Sequence, residues 1–305
     1  MTPPAPNVSV VMCVYNAQRF LPDTLRSILG QTLQDFELIV VNDGSTDRSL
    51  DILRQFERGD ARIRVISREN RGIARSANEG IAVARATYIA RHDADDLSHP
   101  ARLATQAAFL DAHPDVVAVG SQMRITDPYG LPIGLTDFPL DHEGIERELL
   151  RGSGWTFPQP AAMFRREAFD RAGGYRERFS NSEDLDLFLR MALVGKLANL
   201  PEPLVYWRRH LQSVNHTRAA AQTLLKREII VEALRARGRA VPEDLDRQLA
   251  YTRPLPPWKQ LCIWGWKALR AGNARVARWH AWSALRRNPV SPEAWKLAAC
   301  ALRGR

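Results

Sequence analysis

The sequence predicts an α/β fold with a mostly parallel sheet, and two features of its N-terminal part carry this prediction. First, nearly continuous apolar runs recur, as in residues 8–14 and 36–41, and such runs are typical of strands covered on both faces. Second, the segments between these runs place apolar residues at helical spacing, beginning with residues 20–29. Strands that alternate with helices in this way form parallel sheets with right-handed crossovers.

Each further element has its own local signal. The first helix ends before Gly30, a residue favoured just past a helix end, and the polar turn 42–47 leads from the second strand into the second helix. Pro100 begins a later helix, since proline is tolerated in the first helical turn. The remaining predicted elements are a helix containing Ile52, Leu53 and Phe56, a strand at 63–66, a helix at about 73–84, strands at 88–90 and 116–120, and helices at 145–151 and from Glu183.

Polar side chains follow the predicted strands at the points where the strands end. Tyr15 and Asn16 come after the first strand, Asp43 after the second, Arg68 after the third and Asp93 after the fourth. Ligands of open α/β sheets bind outside the carboxyl ends of the strands. We therefore expect these side chains to gather on one rim, although they are far apart in the sequence.

Three carboxylates lie within four positions after the fourth strand, at Asp93, Asp95 and Asp96. Like charges this close raise one another's pKa unless a cation lies among them. Hard oxygen ligands at this spacing suit Mg²⁺ or Mn²⁺ that bridges to substrate phosphates. The alternative is a solvated acidic turn without a metal.

Composition indicates an ordinary globular protein of more than one average domain. The chain has 305 residues, 45% of them apolar and 25% charged. Its start lacks the basic and apolar regions of a secretory signal, and no stretch approaches the ~18 apolar residues that span a bilayer. The 3 cysteines form no metal-type pair. We expect a cytoplasmic protein.

A set of motifs in fixed order resembles the family-2 glycosyltransferases over roughly residues 7–215. In chain order the matching motifs are Val14-Tyr15-Asn16, Asn42-Asp43-Gly44-Ser45-Thr46-Asp47, Asn70-Arg71-Gly72, Asp93-Ala94-Asp95-Asp96, Gly173-Gly174-Tyr175, Glu183-Asp184 and Trp207-Arg208-Arg209-His210. The resemblance implies the GT-A fold, a Rossmann-like sheet, in a catalytic domain at 1–215. Its nucleotide-binding half would be about 7–120 and its acceptor-binding half about 121–215, with a C-terminal helical extension at 216–305.

The resemblance implies a role for each matching donor-side residue. Asp43 would hydrogen-bond the nucleobase edge, Tyr15 would line the base and ribose pocket, and Asn16 would also bind substrate. Asp93 would lie on the ribose or metal side of the Asp-x-Asp motif. Asp95 would be the metal ligand, with Mn²⁺ or Mg²⁺ bridging the donor phosphates.

The resemblance also places residues around the acceptor and the leaving group. Asp184 would be the general base, beside Glu183 in the substrate site, although acids at a helix N-terminus are also ordinary caps that compensate the helix dipole. Arg208 and His210 match a late segment that can close over the diphosphate. The loop 152–160 suits an acceptor platform that includes Trp155.

Two positions depart from the family pattern. Gln159 stands where a histidine is common, and a glutamine cannot titrate as a histidine does. Many members also place an arginine immediately before the asparagine that is Asn78 here. In this chain Arg75 lies half a turn earlier on the helix, and it would have to bind substrate in place of that arginine.

The C-terminal region differs in character from the rest of the chain. Residues 251–305 hold eleven Lys or Arg, one acid, and six of the 8 tryptophans. Three interpretations remain open. The region could contact an anionic membrane surface, it could be an ordinary helical packing unit, or it could bind nucleic acid, for which no recognition motif is present.

The leading functional hypothesis is an inverting, metal-dependent glycosyltransferase of the hexosyl or deoxyhexosyl type. It would move a sugar from a nucleotide-diphosphate donor, with UDP favoured over dTDP or GDP, to a glycan or glycolipid hydroxyl in cell-surface polysaccharide or lipopolysaccharide synthesis. We expect no nucleic-acid partner, and peripheral attachment to the inner face of the membrane is one alternative. A catalytically silent sugar-nucleotide-binding or scaffold protein is the competing hypothesis.

Overall fold

A computed structural model describes residues 5–128, 130–210, 219–249 and 255–304, with the backbone alone for 219–223. The strands are β1 (Val8–Val14), β2 (Phe36–Asp43), β3 (Ile63–Arg68), β4 (Tyr88–Asp93), β5 (Leu97–Ser98), β6 (Val116–Thr126), β7 (Pro132–Leu135), β8 (Met163–Arg165) and β9 (Lys196–Arg208). The α-helices are α1 (Leu21–Leu29), α2 (Ser49–Gly59), α3 (Ile73–Ala82), α4 (Arg102–Ala112), α5 (His142–Leu150), α6 (Arg166–Arg171), α7 (Glu183–Met191), α8 (Ala219–Ala236), α9 (Leu245–Gln248), α10 (Pro257–Arg270), α11 (Ala274–Leu285) and α12 (Pro292–Arg303).

The sheet joins a parallel half to an antiparallel half. Its order is β3-β2-β1-β4-β8-β6-β9-β5, with β7 paired to β6 outside this path. The neighbours β3, β2, β1 and β4 are parallel, whereas β8 is antiparallel to both β4 and β6. The α/β prediction with a mostly parallel N-terminal sheet is confirmed. The fourth strand is longer than predicted, because its parallel pairing with β1 continues to Asp93 through the polar Arg91 and His92.

Alternate residues of the central strands enter cores on opposite faces of the sheet. Val10 and Met12 of β1 pack in one core with α1 and α4, whereas Val11 packs in the other with α3 and α7. Both sets are fully buried, which explains the continuous apolar runs of the sequence. Because both faces of the sheet are covered, the ends of the strands are the part of the parallel half that is left for a ligand.

The chain forms two compact units. The first contains the described residues of 1–122, 137–205 and 221–250. Helix α8 belongs to it, because Ile229 and Ile230 are buried in the same core as α3 and α7. The predicted domains, 1–215 and 216–305, stay a prediction, and the compact units divide the chain in another way.

The second unit contains the described residues of 123–136, 206–220 and 251–305. Helices α10, α11 and α12 pack around Trp264, and Ile133 of β7 joins that core. A Cβ on Gly265 would lie 2.4 Å from Leu297, so glycine permits the close approach of α10 and α12. Among the helices of the described residues, none combines the length and the apolar character needed to cross a bilayer.

Candidate active site

The predicted rim exists at the carboxyl ends of the parallel strands. Cys13 at the end of β1 pairs with Asp93 on β4, and Asp43 at the end of β2 pairs with Arg68 on β3. Tyr15 follows β1 and is 54% exposed. The sheet register therefore brings together residues that lie up to 80 positions apart, as the alternation of strands and helices predicted.

Asp43 is buried, and its carboxylate accepts hydrogen bonds from three groups of the protein. Its carboxylate accepts bonds from the Arg68 guanidinium, from the backbone N of Arg71 at 2.7 Å and from the backbone N of Gly72 at 3.0 Å. The next residue, Gly44, has a φ of 71°, and a Cβ there would lie only 2.5 Å from the backbone N of Asn70. The glycine of the Asn-Asp-Gly motif thus allows the loop after β3 to close over the Asp43 carboxylate.

Asn16 connects the loops that follow β1 and β2. Its side-chain oxygen accepts hydrogen bonds from the backbone N of Thr46 at 2.8 Å and of Asp47 at 3.3 Å, and its own backbone N donates to the Ser45 hydroxyl at 3.0 Å. The residue has a φ of 52°, a conformation that asparagine tolerates better than most residues. Asn16 therefore shapes the rim, and its predicted contact with substrate stays a prediction.

The acidic cluster contains Asp93, Asp95 and Asp96, whose carboxylate oxygens can all lie within 4.8 Å of one another. Burial, and then the like charges of Asp95 and Asp184, raise the pKa of Asp93 to about 7. Asp96 is almost fully buried, and it was not among the predicted metal ligands. The spacing of three acids in four positions was the sequence signal that could have identified Asp96 as a candidate metal ligand.

These three carboxylates form a donor set that fits Mg²⁺ or Mn²⁺. Both ions prefer hard oxygen ligands, and Mg²⁺ is usually held by one or two carboxylates together with substrate phosphates. Burial and the neighbouring charge of Asp95 disfavour the charged form of Asp93, and a bound cation would favour it. Asp93, Asp95 and Asp96 are the residues that would hold the ion.

Two arginines lie fully buried behind the acidic cluster, and sequence reasoning did not include them in the site. The Arg91 guanidinium donates to the Val11 carbonyl, and Arg102 donates to the Arg91 carbonyl at 2.7 Å. Burial lowers the pKa of Arg102 to about 9, although Asp96 and Asp93 oppose this shift. A charged residue inside a buried strand was the available signal for Arg91.

The second pair of predicted acids begins helix α7. Burial raises the pKa of Asp184, while its carboxylate accepts a hydrogen bond from the backbone N of Leu185 at 2.8 Å. Burial, and then the charge of Asp184, raise the pKa of Glu183 to about 8. Within the described ranges, Oε2 of Glu183 is buried without a hydrogen-bond partner. Asp184 thus helps to satisfy the start of the helix, whereas burial and the charge of Asp184 disfavour the charged form of Glu183.

Two predicted acceptor-side residues lie on neighbouring 3₁₀ turns of the first unit. Trp155 belongs to the turn at 154–156 and is 40% exposed. Gln159 begins the turn at 159–161 and is buried, and its amide oxygen has no partner among the residues that the structure describes. An exposed ring and a buried unsatisfied acceptor in one segment are features of a binding loop.

Three predicted substrate-binding residues remain. Arg75 is exposed on α3, 3.5 Å from the carboxylate of Glu79. Glu79 also pairs with the Arg68 that binds Asp43. Arg208 and His210 belong to the second unit, where both are mostly buried. The predicted substrate contacts of these three residues stay predictions.

Comparisons with known proteins agree with this geometry. A family model described as "Glycosyl transferase family 2" matches residues 9–173. A protein of Bacillus subtilis (strain 168) named EpsE and described as a glycosyltransferase is 37% identical over 204 residues, which cover 65% of this chain and 72% of EpsE.

Solved structures resemble the whole fold. Residues 1–349 of S. aureus TarS, solved in complex with UDP-GlcNAc, match with a TM-score of 0.62 at 18% identity and cover 98% of this chain and 92% of that chain. The mannosyltransferase PcManGT from Pyrobaculum calidifontis, solved with GDP-Man and Mn²⁺, matches with a TM-score of 0.56 at 20% identity and covers 99% of this chain and 81% of its own. At such identities the likeness is evidence for the fold, which is GT-A as expected.

The family model covers more than half of the chain, and EpsE is matched over more than two thirds of its own length. The chain belongs to glycosyltransferase family 2.

Proposed function

We propose that the chain is an inverting, metal-dependent glycosyltransferase that moves a sugar from a nucleotide-diphosphate donor to a hydroxyl group of a glycan or glycolipid. One observation carries the proposal: the carboxylate oxygens of Asp93, Asp95 and Asp96 lie within 4.8 Å of one another at the end of β4. Asp184, 91 positions after Asp93 in the sequence, is near enough for its charge to add to the effects of burial and of Asp95, which raise the pKa of Asp93. Glycosyl transfer needs carboxylates at both places. One set would hold the cation that stabilises the leaving diphosphate, and another carboxylate would deprotonate the attacking hydroxyl.

The donor half of the site would use the rim of the parallel sheet. Asp43, held in place by Arg68 and two backbone N–H groups, offers its remaining lone pairs to a nucleobase edge beside the exposed ring of Tyr15. Asp93, Asp95 and Asp96 would hold Mn²⁺ or Mg²⁺. When bound, such an ion supplies Lewis-acid stabilisation of the charge that develops on the leaving diphosphate.

The acceptor half would depend on Asp184. Its raised pKa makes the carboxylate a stronger base than an exposed aspartate, which suits proton removal from a hydroxyl near neutral pH. Attack from the side of Asp184, opposite the leaving diphosphate, would invert the anomeric centre. Trp155 and Gln159 would position the acceptor sugar by stacking and hydrogen bonding.

UDP-sugars are the favoured donor class, with dTDP- and GDP-sugars as alternatives. TarS was solved with UDP-GlcNAc and PcManGT with GDP-Man, so this fold accommodates both a pyrimidine and a purine nucleotide. The pathway in which we place the reaction is the synthesis of cell-surface polysaccharide, lipopolysaccharide or a glycolipid precursor. A peripheral contact between the basic C-terminal region and an anionic membrane would bring the enzyme to a lipid-linked acceptor.

A metal-dependence experiment tests the proposal directly. The purified chain is screened by thermal shift against UDP-, dTDP- and GDP-sugars with and without Mn²⁺, and slow hydrolysis of any donor that binds is then followed by release of the nucleoside diphosphate. We expect stabilisation by one donor class that requires Mn²⁺ or Mg²⁺, and hydrolysis that stops with excess chelator and returns when the ion is restored.

Two outcomes would contradict the proposal. Donor hydrolysis that continues in excess chelator would exclude the metal from the reaction. Metal-dependent donor binding without hydrolysis, and without transfer to any member of a broad acceptor panel, would instead favour the catalytically silent sugar-nucleotide-binding protein.

A further inference from the structure

A groove of about 520 Å³ lies between α10 and α12 in the second unit. It is lined by Ile263, Trp266, Lys267, Arg270, Lys296 and Cys300. The α10 residues recur at helical spacing and therefore form one face of that helix, while Lys296 and Cys300 are one turn apart on α12. The groove thus combines an apolar floor with cations from both of its walls.

None of the residues that line the groove is acidic. Within the described residues, no carboxylate forms an ion pair with Lys267, Arg270 or Lys296, and Glu293 is the one acid of residues 255–304. Lys267, Arg270 and Lys296 are exposed, so their charges are available to a ligand. Three cations around an apolar floor select an anion that carries apolar groups with it.

The tryptophans of the second unit differ in how deeply they are buried. Trp264 is buried in the core of the three helices, which accounts for that residue as ordinary packing. Trp266 is only partly buried and lies in the groove, and Trp295 on α12 is 53% exposed. Leu302, near the end of α12, is 63% exposed. Part of the tryptophan content therefore remains at the surface beside the cations, as in proteins that lie on membranes.

We propose that this groove binds the phosphate headgroup of an anionic membrane lipid, with Lys267, Arg270 and Lys296 around the phosphate and the apolar side of Trp266 against the lipid chains. The inference rests on the proposed membrane contact of the C-terminal region and names the site that makes it. The volume of the groove lies within the range of small-ligand pockets, roughly 300–1,000 Å³, so one headgroup fits. A free phosphate would leave the apolar floor without a partner.

Sedimentation with vesicles tests the groove against a matched control of equal charge. The first variant combines Lys267→Gln, Arg270→Gln and Lys296→Gln. The control combines Arg275→Gln, Arg286→Gln and Arg287→Gln, which removes three exposed cations of the same unit outside the groove. Vesicles of phosphatidylcholine alone are compared with vesicles that also contain phosphatidylglycerol, at low and high salt, and thermal unfolding checks that each variant is folded.

We expect the unmodified chain to bind only the vesicles that contain phosphatidylglycerol, and less at high salt. The groove variant should lose about a hundredfold in partitioning, since each cation at an anionic surface contributes roughly a factor of five, whereas the control should lose about threefold or less. Equal losses in both variants would overturn the groove but leave a diffuse membrane contact. No binding by the unmodified chain would overturn both.

A second measurement separates a lipid from other phosphates. Lipids brominated on their acyl chains should quench tryptophan fluorescence in the unmodified chain and less in Trp266→Phe, because contact with bromine requires the ring to reach the chains. Strong competition by inorganic phosphate or by a single-stranded oligonucleotide, without bromine quenching, would identify a soluble anion or a nucleic acid instead and overturn the proposal. Metal-dependent donor hydrolysis, measured without vesicles, should be equal in all these variants, so failure of the glycosyltransfer proposal would be visible separately.

Discussion

Two carboxylate sites on the same rim of the sheet have opposite surroundings. Asp43 ends β2 and Asp93 ends β4, one on each side of β1. The protein gives Asp43 an arginine and two backbone N–H groups, so its charge is neutralised within the fold. Asp93 instead lies partly buried beside the like charges of Asp95 and Asp184, which Arg91 and Arg102 offset only in part. The same residue type at equivalent positions is thus satisfied in one place and short of positive charge in the other.

This difference indicates what each site can bind. A carboxylate that is already held by donors can orient a neutral hydrogen-bonding group such as a nucleobase edge, because its geometry is fixed and its charge is compensated. A cluster that raises its own pKa binds a cation favourably, since the cation removes the repulsion. The buried cations Arg91 and Arg102 offset part of the negative charge of the cluster.

The largest expected effect comes from removing a carboxylate of the acidic cluster. Asp95→Ala should reduce sugar transfer by about a thousandfold or more, because metal stabilisation of a leaving diphosphate amounts to several kcal/mol and each ~1.4 kcal/mol is tenfold in rate. Initial rates at saturating donor and a range of Mn²⁺ concentrations measure this. Asp51→Ala, a change of an exposed acid on α2, is the control and should leave the rate unchanged. If Asp95→Ala reaches the rate of the unmodified chain at the same Mn²⁺ concentration, Asp95 is not a metal ligand.

The next effect concerns Asp184, the proposed general base. Asp184→Asn should lower turnover by about 10²–10⁴-fold, the usual contribution of a general base, while donor affinity stays close to that of the unmodified chain. Calorimetry with the donor and Mn²⁺ gives the affinity, and single-turnover transfer gives the rate. If turnover is unchanged and only the melting temperature falls, Asp184 is a helix cap and the base lies elsewhere.

The sequence was sufficient for the parallel half of the fold and for the location of the rim. Buried parallel strands require continuous apolar runs, and the geometry of βαβ units places Tyr15, Asp43 and Asp93 at one edge. The antiparallel strand β8 was not among the predicted elements, because three residues carry no periodicity. Helix α8 lies in the predicted C-terminal helical extension, but its burial in the core of the first unit depends on tertiary contacts that no local signal encodes.

The environment of each site residue was beyond sequence reasoning. The donors to Asp43 come from the backbone of a loop 28 positions later, and backbone N–H groups leave no trace in the residue types. The side chain of Asn16 holds two loops together, a role that its residue type and position did not reveal. Arg91 and Arg102 are fully buried against the usual preference of arginine for the surface, so their place beneath the acidic cluster required the structure.

The smallest expected effect is on stability, and it should have opposite signs at the two aspartates. Asp43→Asn should lower the free energy of unfolding by ~1.5–3 kcal/mol, the contribution of hydrogen bonds to a charged group, because the new amide NH₂ faces existing donors. Asp93→Asn should stabilise the metal-free chain instead, since it removes a crowded charge. Thermal unfolding in chelator, at several pH values, measures both variants against the unmodified chain.

The stability difference between Asp93→Asn and the unmodified chain should depend on pH. The folded pKa of Asp93 is about 7 and its ordinary value is 3.8, so the folded chain keeps a proton that the unfolded chain has released between these values. Unfolding therefore becomes easier as pH rises from about 4 to about 7, because the stability that protonated Asp93 contributes at low pH is lost. The advantage of Asp93→Asn should be near zero at pH 4, grow to its full size by pH 8, and shrink when Mn²⁺ is added at pH 8. An advantage that is the same at both pH values would mean that the Asp93 carboxylate is neutralised by the protein, as Asp43 is, and that the two sites do not differ.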